Sequence, residues 1–235
     1  MKLSPPIKFV IALLFSTVSY TAQAQDFNKS FKILPDSGSL DVVTKSGSVI
    51  VAPIEGNLIQ VAAHRSHATV NASQASPQGK VKVEVTDDTP VELTIGVPAS
   101  TSINIVCLKC SVTVKGIRGA IVTSTTEGNI QLTGIHSAKV EARSMSGNVN
   151  YDGDVSPSGS YFLKSFSGRV DTILPAGAKF ILEATSVRGG IEINPADFQL
   201  TVQKQTSQFV NGFVGSSGAK VTLWTQEGSI RVKKK

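Results

Sequence analysis

The sequence predicts an all-β protein: a β-solenoid-like stack of two-strand coils, about 21 residues per coil, behind an N-terminal β-strand cap region. Three observations carry this reading. One pattern is written three times, as Ser144-Met145-Ser146-Gly147-Asn148-Val149, Ser165-Phe166-Ser167-Gly168-Arg169-Val170 and Ser186-Val187-Arg188-Gly189-Gly190-Ile191, with the glycines Gly147, Gly168 and Gly189 each 21 positions apart. Fixed self-similarity of this length marks a stacked array, in which each repeat buries its apolar face only against its neighbours. Apolar and polar residues also alternate with the period of half-buried strands, and no segment beyond the first 24 residues sustains a helical period.

Those first residues read as a secretory leader. Lys2 and Lys8 give a positive start, Ile7 to Val18 is an apolar run too short for a comfortable membrane span, and Ala22-Gln23-Ala24 is a small-x-small cleavage site. A single-pass N-terminal anchor is the competing reading. No cysteine follows the site, which argues against a lipoprotein anchor, and no later stretch is apolar enough to form a membrane-spanning helix. The expected organisation is a signal peptide over 1–24, a β-strand cap region over 25–98 and the repeat region over 99–235, the last two continuous. The location expected is outside the cytoplasm, in the periplasm or at the cell surface.

The chain of 235 residues has 23 basic and 17 acidic side chains; two of the lysines lie in the leader, so the remainder carries an excess of four positive charges. Three of those are the terminal Lys233-Lys234-Lys235, a tail suited to keeping a strand end soluble. The near balance elsewhere predicts no nucleic-acid face.

From Asp26 to Val61 strands recur on a nine-residue beat, each with a turn glycine two residues before an apolar residue: Gly38 and Leu40, Gly47 and Val49, Gly56 and Leu58. The calcium-binding nonapeptide rolls share this beat, but each of their turns needs a glycine pair and an aspartate as oxygen ligands, and the turns here, Asp36-Ser37-Gly38, Lys45-Ser46-Gly47 and Ile54-Glu55-Gly56, do not supply that set. No calcium, other metal or cofactor is expected. His64 to Gln78 reads as an exposed polar loop; His64 and His67 have the spacing of two ligands on a helical turn but no third ligand nearby. Val81 to Val85 and Val91 to Ile95, joined by Asp87-Asp88-Thr89-Pro90, read as a hairpin.

Aligning the coils on their glycines yields columns. Two positions after the glycine stand Ile130, Val149, Val170, Ile191 and Ile230; five before it stand Ala142, Leu163, Ala184 and Leu223; seven before it stand Val140, Tyr161, Leu182 and Val221. Side chains alternate faces along a strand, so these columns share the inward face. Three before the glycine comes a hydroxyl column, Thr125, Ser144, Ser165, Ser186 and Thr225, expected to bond turn backbone groups at a buried corner. The glycine is expected to take a positive φ. After the third coil Phe198 to Val202 reads as a strand, Gln203 to Gly218 as irregular, and Lys220 to Val232 as the final pair.

Cys107 falls in the hydroxyl column and Cys110 in the glycine column, so the pair brackets a turn, where the first and fourth α-carbons lie within ~7 Å. Three readings stand: a disulfide stapling the corner, two free thiols, or a redox or metal half-site. Catalytic C-x-x-C pairs sit at a helix N-terminus, and none is expected here. The outward carboxylates include Glu141, Asp152, Asp154, Asp171, Glu183 and Glu192; Glu141 and Glu183 alternate with Lys139, Arg143 and Lys179, as on a solvated, ion-paired face, and Asp152-Gly153-Asp154 reads as a turn. No Ser-His-Asp arrangement is visible, and no catalytic residue is assigned. Aromatics are sparse and read as mostly inward. Trp224, one residue past inward Leu223, faces out, and with Phe209 and Phe213 of the loop Phe209 to Val214 it forms a candidate partner patch. The competing reading has this loop capping the last coil over Trp224.

The Gly-Ser-Val-Ile-Val strand at Gly47, Leu93-Thr94-Ile95-Gly96-Val97-Pro98, the serial Ser-x-Ser-Gly-x-Val coils and Gln226-Glu227-Gly228-Ser229-Ile230 resemble the bacterial β-strand-repeat domains of unknown function, which are similar to putative adhesin and head domains of envelope proteins. The resemblance spans nearly all of the chain after the leader. It implies an extracytoplasmic protein with a β-solenoid-like body and no established catalytic residues. The sequence departs from that pattern at Cys107 and Cys110, and it lacks a C-terminal membrane anchor. The function expected is a non-enzymatic structural, adhesive or sensing module whose partner is an envelope protein or a glycan. A carbohydrate-active β-helix enzyme is the alternative, and end-to-end self-association through strand edges is a further possibility.

Overall fold

Alternation of inward and outward residues along short strands, interrupted every few residues by a glycine corner, winds the chain into coils whose apolar sides can be buried only by stacking. The computed structural model describes residues 27–36, 38–64, 68–75, 79–216 and 218–235. The leader over 1–24 and His67 lie outside the described residues. No helix among the described residues is long and apolar enough to cross a membrane.

The strands are β1 (Phe27–Lys32), β2 (Ser39–Pro53), β3 (Leu58–His64), β4 (Val70–Gln74), β5 (Lys80–Val85), β6 (Val91–Val97), β7 (Ser102–Lys115), β8 (Ile121–Glu127), β9 (Ile130–Ile135) and β10 (Lys139–Ser146). They continue with β11 (Val149–Gly153), β12 (Ser160–Ser165), β13 (Val170–Leu174), β14 (Phe180–Ser186), β15 (Ile191–Ile193), the one-turn helix α1 (Pro195–Phe198), β16 (Thr201–Gln205), β17 (Phe209–Phe213), β18 (Ala219–Thr225) and β19 (Ile230–Lys234). The protein is all-β and solenoid-like, as the sequence predicts. One layer runs β4-β5-β2-β7-β8-β10-β12-β18-β14-β17-β16. The other runs β1-β3-β6-β2-β7-β9-β11-β13-β19-β15. The long strands β2 and β7 bend around the corner and belong to both, the first half of each to one layer and the second half to the other.

The inward columns stack as aligned. Val149, Val170, Ile230 and Ile191 are register partners in one layer, and Val140, Tyr161, Val221 and Leu182 in the other. All are buried except Ile191, which is half-buried at the edge.

The order of the coils departs from the order of the chain at both ends. The final pair, β18 and β19, lies between the β12/β13 coil and the β14/β15 coil instead of closing the stack. Likewise β2 lies between the β5/β6 coil and β7. Val81 to Val85 and Val91 to Ile95 therefore do not form a hairpin. They face each other across the core as the two sides of one coil, each parallel to its own half of β2, and the aspartate turn between them is a corner.

Antiparallel strands close the ends. β3 and β1 extend one layer beyond β6, and β4 pairs with β5. The polar run after His64 thus contains a strand, because Ala72 turns inward against the core while the edge tolerates its polar neighbours. At the far end β17 pairs antiparallel with β14 and β16 with β17, so strands occupy much of the stretch that reads as irregular after Gln203. Phe198 belongs to α1, capped by the Asn194 side chain, and its buried ring packs edge-on against Phe180 at 5.6 Å to close the core.

Candidate functional site

The corner that carries the repeat is built by its hydroxyls. Ser165 Oγ donates to Gly147 O on the preceding coil (2.7 Å) and accepts from Gly168 N in its own turn (2.8 Å). Ser186 and Thr225 repeat both bonds, to Gly228 O and Gly168 O and from Gly189 N and Gly228 N. Ser144 and Thr125 make the inter-coil bond, to Gly128 O (3.0 Å) and Cys110 O (3.3 Å). Each hydroxyl satisfies backbone groups that the turn leaves without a ladder partner.

Positive φ is a partial account of the glycine column. Gly47, Gly128 and Gly147 adopt it, at 117°, 136° and 154°, whereas Gly168, Gly189 and Gly228 do not. What all of the column's glycines share is close approach. A Cβ added at Gly168 would stand 2.1 Å from Gly147 O, and one at Gly228 would stand 2.0 Å from Gly168 O. The neighbouring coil's carbonyl occupies the place where a side chain would begin.

Cys107 and Cys110 flank a bend in the unbroken strand β7, both buried, with Cα atoms 5.9 Å apart and sulfurs at disulfide distance. This geometry suits a staple, and no helix terminus adjoins it. Alkylation of the unreduced protein is expected to add no mass, and reduction in denaturant is expected to make two sites available. Labelling of two thiols without reductant would show that the pair is open.

At the opposite corner two buried tyrosines hold the turn. Tyr161 OH donates to Ser137 O (2.7 Å) and accepts from Ser156 N (2.8 Å), Tyr151 OH donates to Asp154 O (2.6 Å), and the rings meet edge-on at 5.8 Å. Burial pushes both phenols above their ordinary value; at Tyr151 the neighbouring Tyr161 and Asp154 add to it, and at Tyr161 the bond from Ser156 opposes it in part. The neutral form is therefore favoured by folding. The stability this contributes is complete below the ordinary phenol pKa of about 10 and is lost as the pH rises above it. The check is an alkaline titration followed by phenolate absorbance. Tyr151 and Tyr161 should ionise together with loss of the β circular-dichroism signal. Ionisation of both near pH ~10 with the fold intact would contradict their burial.

The outward carboxylates are distributed in local pairs. Glu141 meets Arg143 (2.8 Å), Asp152 meets Lys235 (3.1 Å), Asp154 meets His136 (2.6 Å) and Glu192 meets Arg231 (2.7 Å). The Arg231 hydrogen bond holds the Glu192 carboxyl below the usual range. Glu183 lies between Thr222 and Asn211 in the register. No group of three histidine, cysteine or carboxylate side chains among the described residues could hold a metal ion.

The outward aromatic cluster that contains the candidate patch is larger than the sequence suggests. Trp224 on β18 neighbours Lys164 on one side and Thr185 on the other, and Thr185 neighbours Phe209 on β17; Phe213 neighbours Ile181. Phe209 to Phe213 is thus a strand that caps the β14/β15 coil, and it does not fold over Trp224. Phe209, Phe213 and Trp224 are half-buried on one outer face within three adjacent strands. Phe162 and Phe166 also face outward there, so Trp224 is not the exception among inward aromatics. Strand parity signalled both: Phe162 stands between inward Tyr161 and Leu163, and Phe166 follows inward Ser165. Cations lie over three of these rings: Lys164 over Trp224 at 4.3 Å, Arg143 over Phe162 at 5.0 Å and Lys204 over Phe209 at 5.6 Å.

Stacked two-strand coils with a paired, non-clustered carboxylate surface and one aromatic outer face define a solenoid-like β-repeat domain. The chain belongs to the Toastrack DUF4097 family, a domain of unknown function, which matches residues 34–233. It is similar in structure to a putative cell adhesion protein from Clostridium sporogenes, with 10% identity and a TM-score of 0.50, covering 90% of this chain and 100% of that one. It also resembles a putative adhesin from Bacteroides fragilis, with 12% identity and a TM-score of 0.38, covering 90% and 97%. No curated protein matches the chain.

Proposed function

We infer that this is an exported, non-enzymatic module of the bacterial cell envelope that binds its partner through the outer face carrying Trp224, Phe209 and Phe213. The observation that supports this reading is the gathering of half-buried aromatic side chains on one sheet face, Phe209 and Phe213 from β17, Trp224 from β18 and Phe162 from β12. Aromatic rings held rigidly on a sheet offer contact area at little entropic cost on binding. The leader-like N-terminus, the cysteine pair at disulfide distance and the adhesion-related names of similar structures accord with a place outside the cytoplasm. A polysaccharide-cleaving role would need clustered carboxylates within a groove, and the carboxylates here are spread over separate ion pairs.

The test is co-sedimentation of the purified protein with bacterial envelope fragments. Wild type is expected to bind, and Trp224→Ala to bind about tenfold more weakly with an unchanged melting temperature. Equal binding by both would remove this face as the contact. Self-association through the outer strands β4 and β16 is checked by sizing the protein across a concentration range; a strict monomer counts against it.

A further inference from the structure

The aromatic face is also basic, and the two properties are interleaved. On the outer side of strands β10, β12, β18, β14, β17 and β16 the cations are Lys139, Arg143, Lys164, Lys220 and Lys204. Two carboxylates, Glu141 and Glu183, share that surface, and Glu141 is engaged by Arg143. The other layer is a built-in comparison. Its outward positions on β11, β13, β19 and β15 include Asp152, Asp171, Arg231, Lys233 and Glu192, of mixed sign, and none of the described outward residues there is aromatic. Apart from the end strands β16 and β17, both layers come from the same coils and obey the same stacking rules, so stacking does not explain why the rings and an excess of cations over carboxylates collect on one side.

Resting on the reading above, we propose that this face binds an acidic polysaccharide laid along the stack axis, across the strands. The register supplies the track: Arg143, Lys164, Trp224, Thr185 and Phe209 are successive neighbours on adjacent strands, spaced at about 4.8 Å. An occupant must be extended and must present anionic groups beside apolar faces at short intervals. About 13 Å along β14 and β17 from Thr185 and Phe209, to the side of the track, Ile181, Gln203, Phe213, Val214, Gly215 and Ser216 line a recess of about 260 Å³, of a size for a single sugar unit rather than a large ligand.

Two other classes of partner fit less well. Lysine is depleted in protein–protein interfaces, whereas here lysines stand among the rings. Single-stranded nucleic acid stacks bases on open ring faces, but Trp224, Phe162 and Phe209 already have a cation over the ring. Anionic substituents on sugars can meet those cations where they are held.

The probe is fluorescent polygalacturonate, with neutral dextran and oligo-dT as comparison ligands. Binding is expected for polygalacturonate, weakening with added salt, and at least about tenfold weaker for dextran and oligo-dT. Lys164→Gln with Lys204→Gln is expected to weaken it about tenfold and to flatten the salt dependence. Lys115→Gln, on the outer side of the other layer, is expected to leave it unchanged. The inference is overturned if polygalacturonate does not bind at low salt, if oligo-dT or dextran binds as well, or if the Lys164 and Lys204 variant binds equally or better, as it would were those lysines only covering the rings. Circular dichroism of each variant verifies the fold. Trp224-dependent binding to envelope fragments without binding to polygalacturonate would sink this inference and leave the proposed function standing; loss of both would sink both.

Discussion

Gly168→Ala is expected to destabilise the protein by about 3 kcal/mol or more, read as a lower urea midpoint. The added Cβ would meet Gly147 O at 2.1 Å and Gly147 C at 2.4 Å, both backbone atoms of the neighbouring coil, and Ser165 Oγ at 2.9 Å. Backbone cannot swing aside as a flexible side chain can, so either the coils part locally or the Ser165 bonds to Gly147 O and Gly168 N break. Because Gly168 is not left-handed, its conformational preference contributes little to this cost. Gly190→Ala is the control: a Cβ there meets nothing within 4 Å, and its effect is expected to stay within about 0.5 kcal/mol. Equal effects of the two substitutions would refute inter-coil approach as the reason for the glycine column.

The second expectation is all-or-none. Paired cysteines at Asp171 and Arg231, or at Arg231 and Glu192, should oxidise to disulfides in the folded protein, whereas a pair at Asp171 and Glu192 should not. Asp171 and Glu192 each lie next to Arg231 on adjacent parallel strands. Neighbouring strands are about 4.8 Å apart, within disulfide reach, and next-but-one strands are about 9.6 Å apart, beyond it. If the coils stacked in chain order, Asp171 would adjoin Glu192, so that pair would oxidise and the pair at Asp171 and Arg231 would not, while the pair at Arg231 and Glu192 would oxidise in either arrangement. Mass spectrometry of the unreduced variants distinguishes the two arrangements, with the Cys107 and Cys110 pair retained in all of them.

The inward columns were legible because strand parity and a constant interval are local properties. Once Gly147, Gly168 and Gly189 are aligned, the side on which Leu163 or Val170 must lie follows from the alternation of side chains. The hydroxyl column was legible for a related reason, since a polar residue at an inward position beside a turn has few partners other than turn backbone. The candidate face was half-legible. Trp224 was visible by its offset from Leu223, and the same parity argument places Phe162 and Phe166 outside. The strands that bring Phe209 and Phe213 beside them read as an irregular loop, because Phe209 to Phe213 holds two apolar aromatics around Asn211-Gly212 and gains its order by pairing with β14.

The sequence by itself determined which residues form a coil, which of them face the core, and that Cys107 and Cys110 bracket a corner. Only the tertiary structure decided which coil lies against which. Leu163 can stack on Ala184 or on Leu223 with the same register and the same kind of contact, so the repeat that identifies the coils cannot order them. That order is a property of the closed stack. The last coil is inserted beside β12 and β13, which puts Trp224 next to Lys164 and one strand short of Phe209, and so assembles the aromatic and basic face.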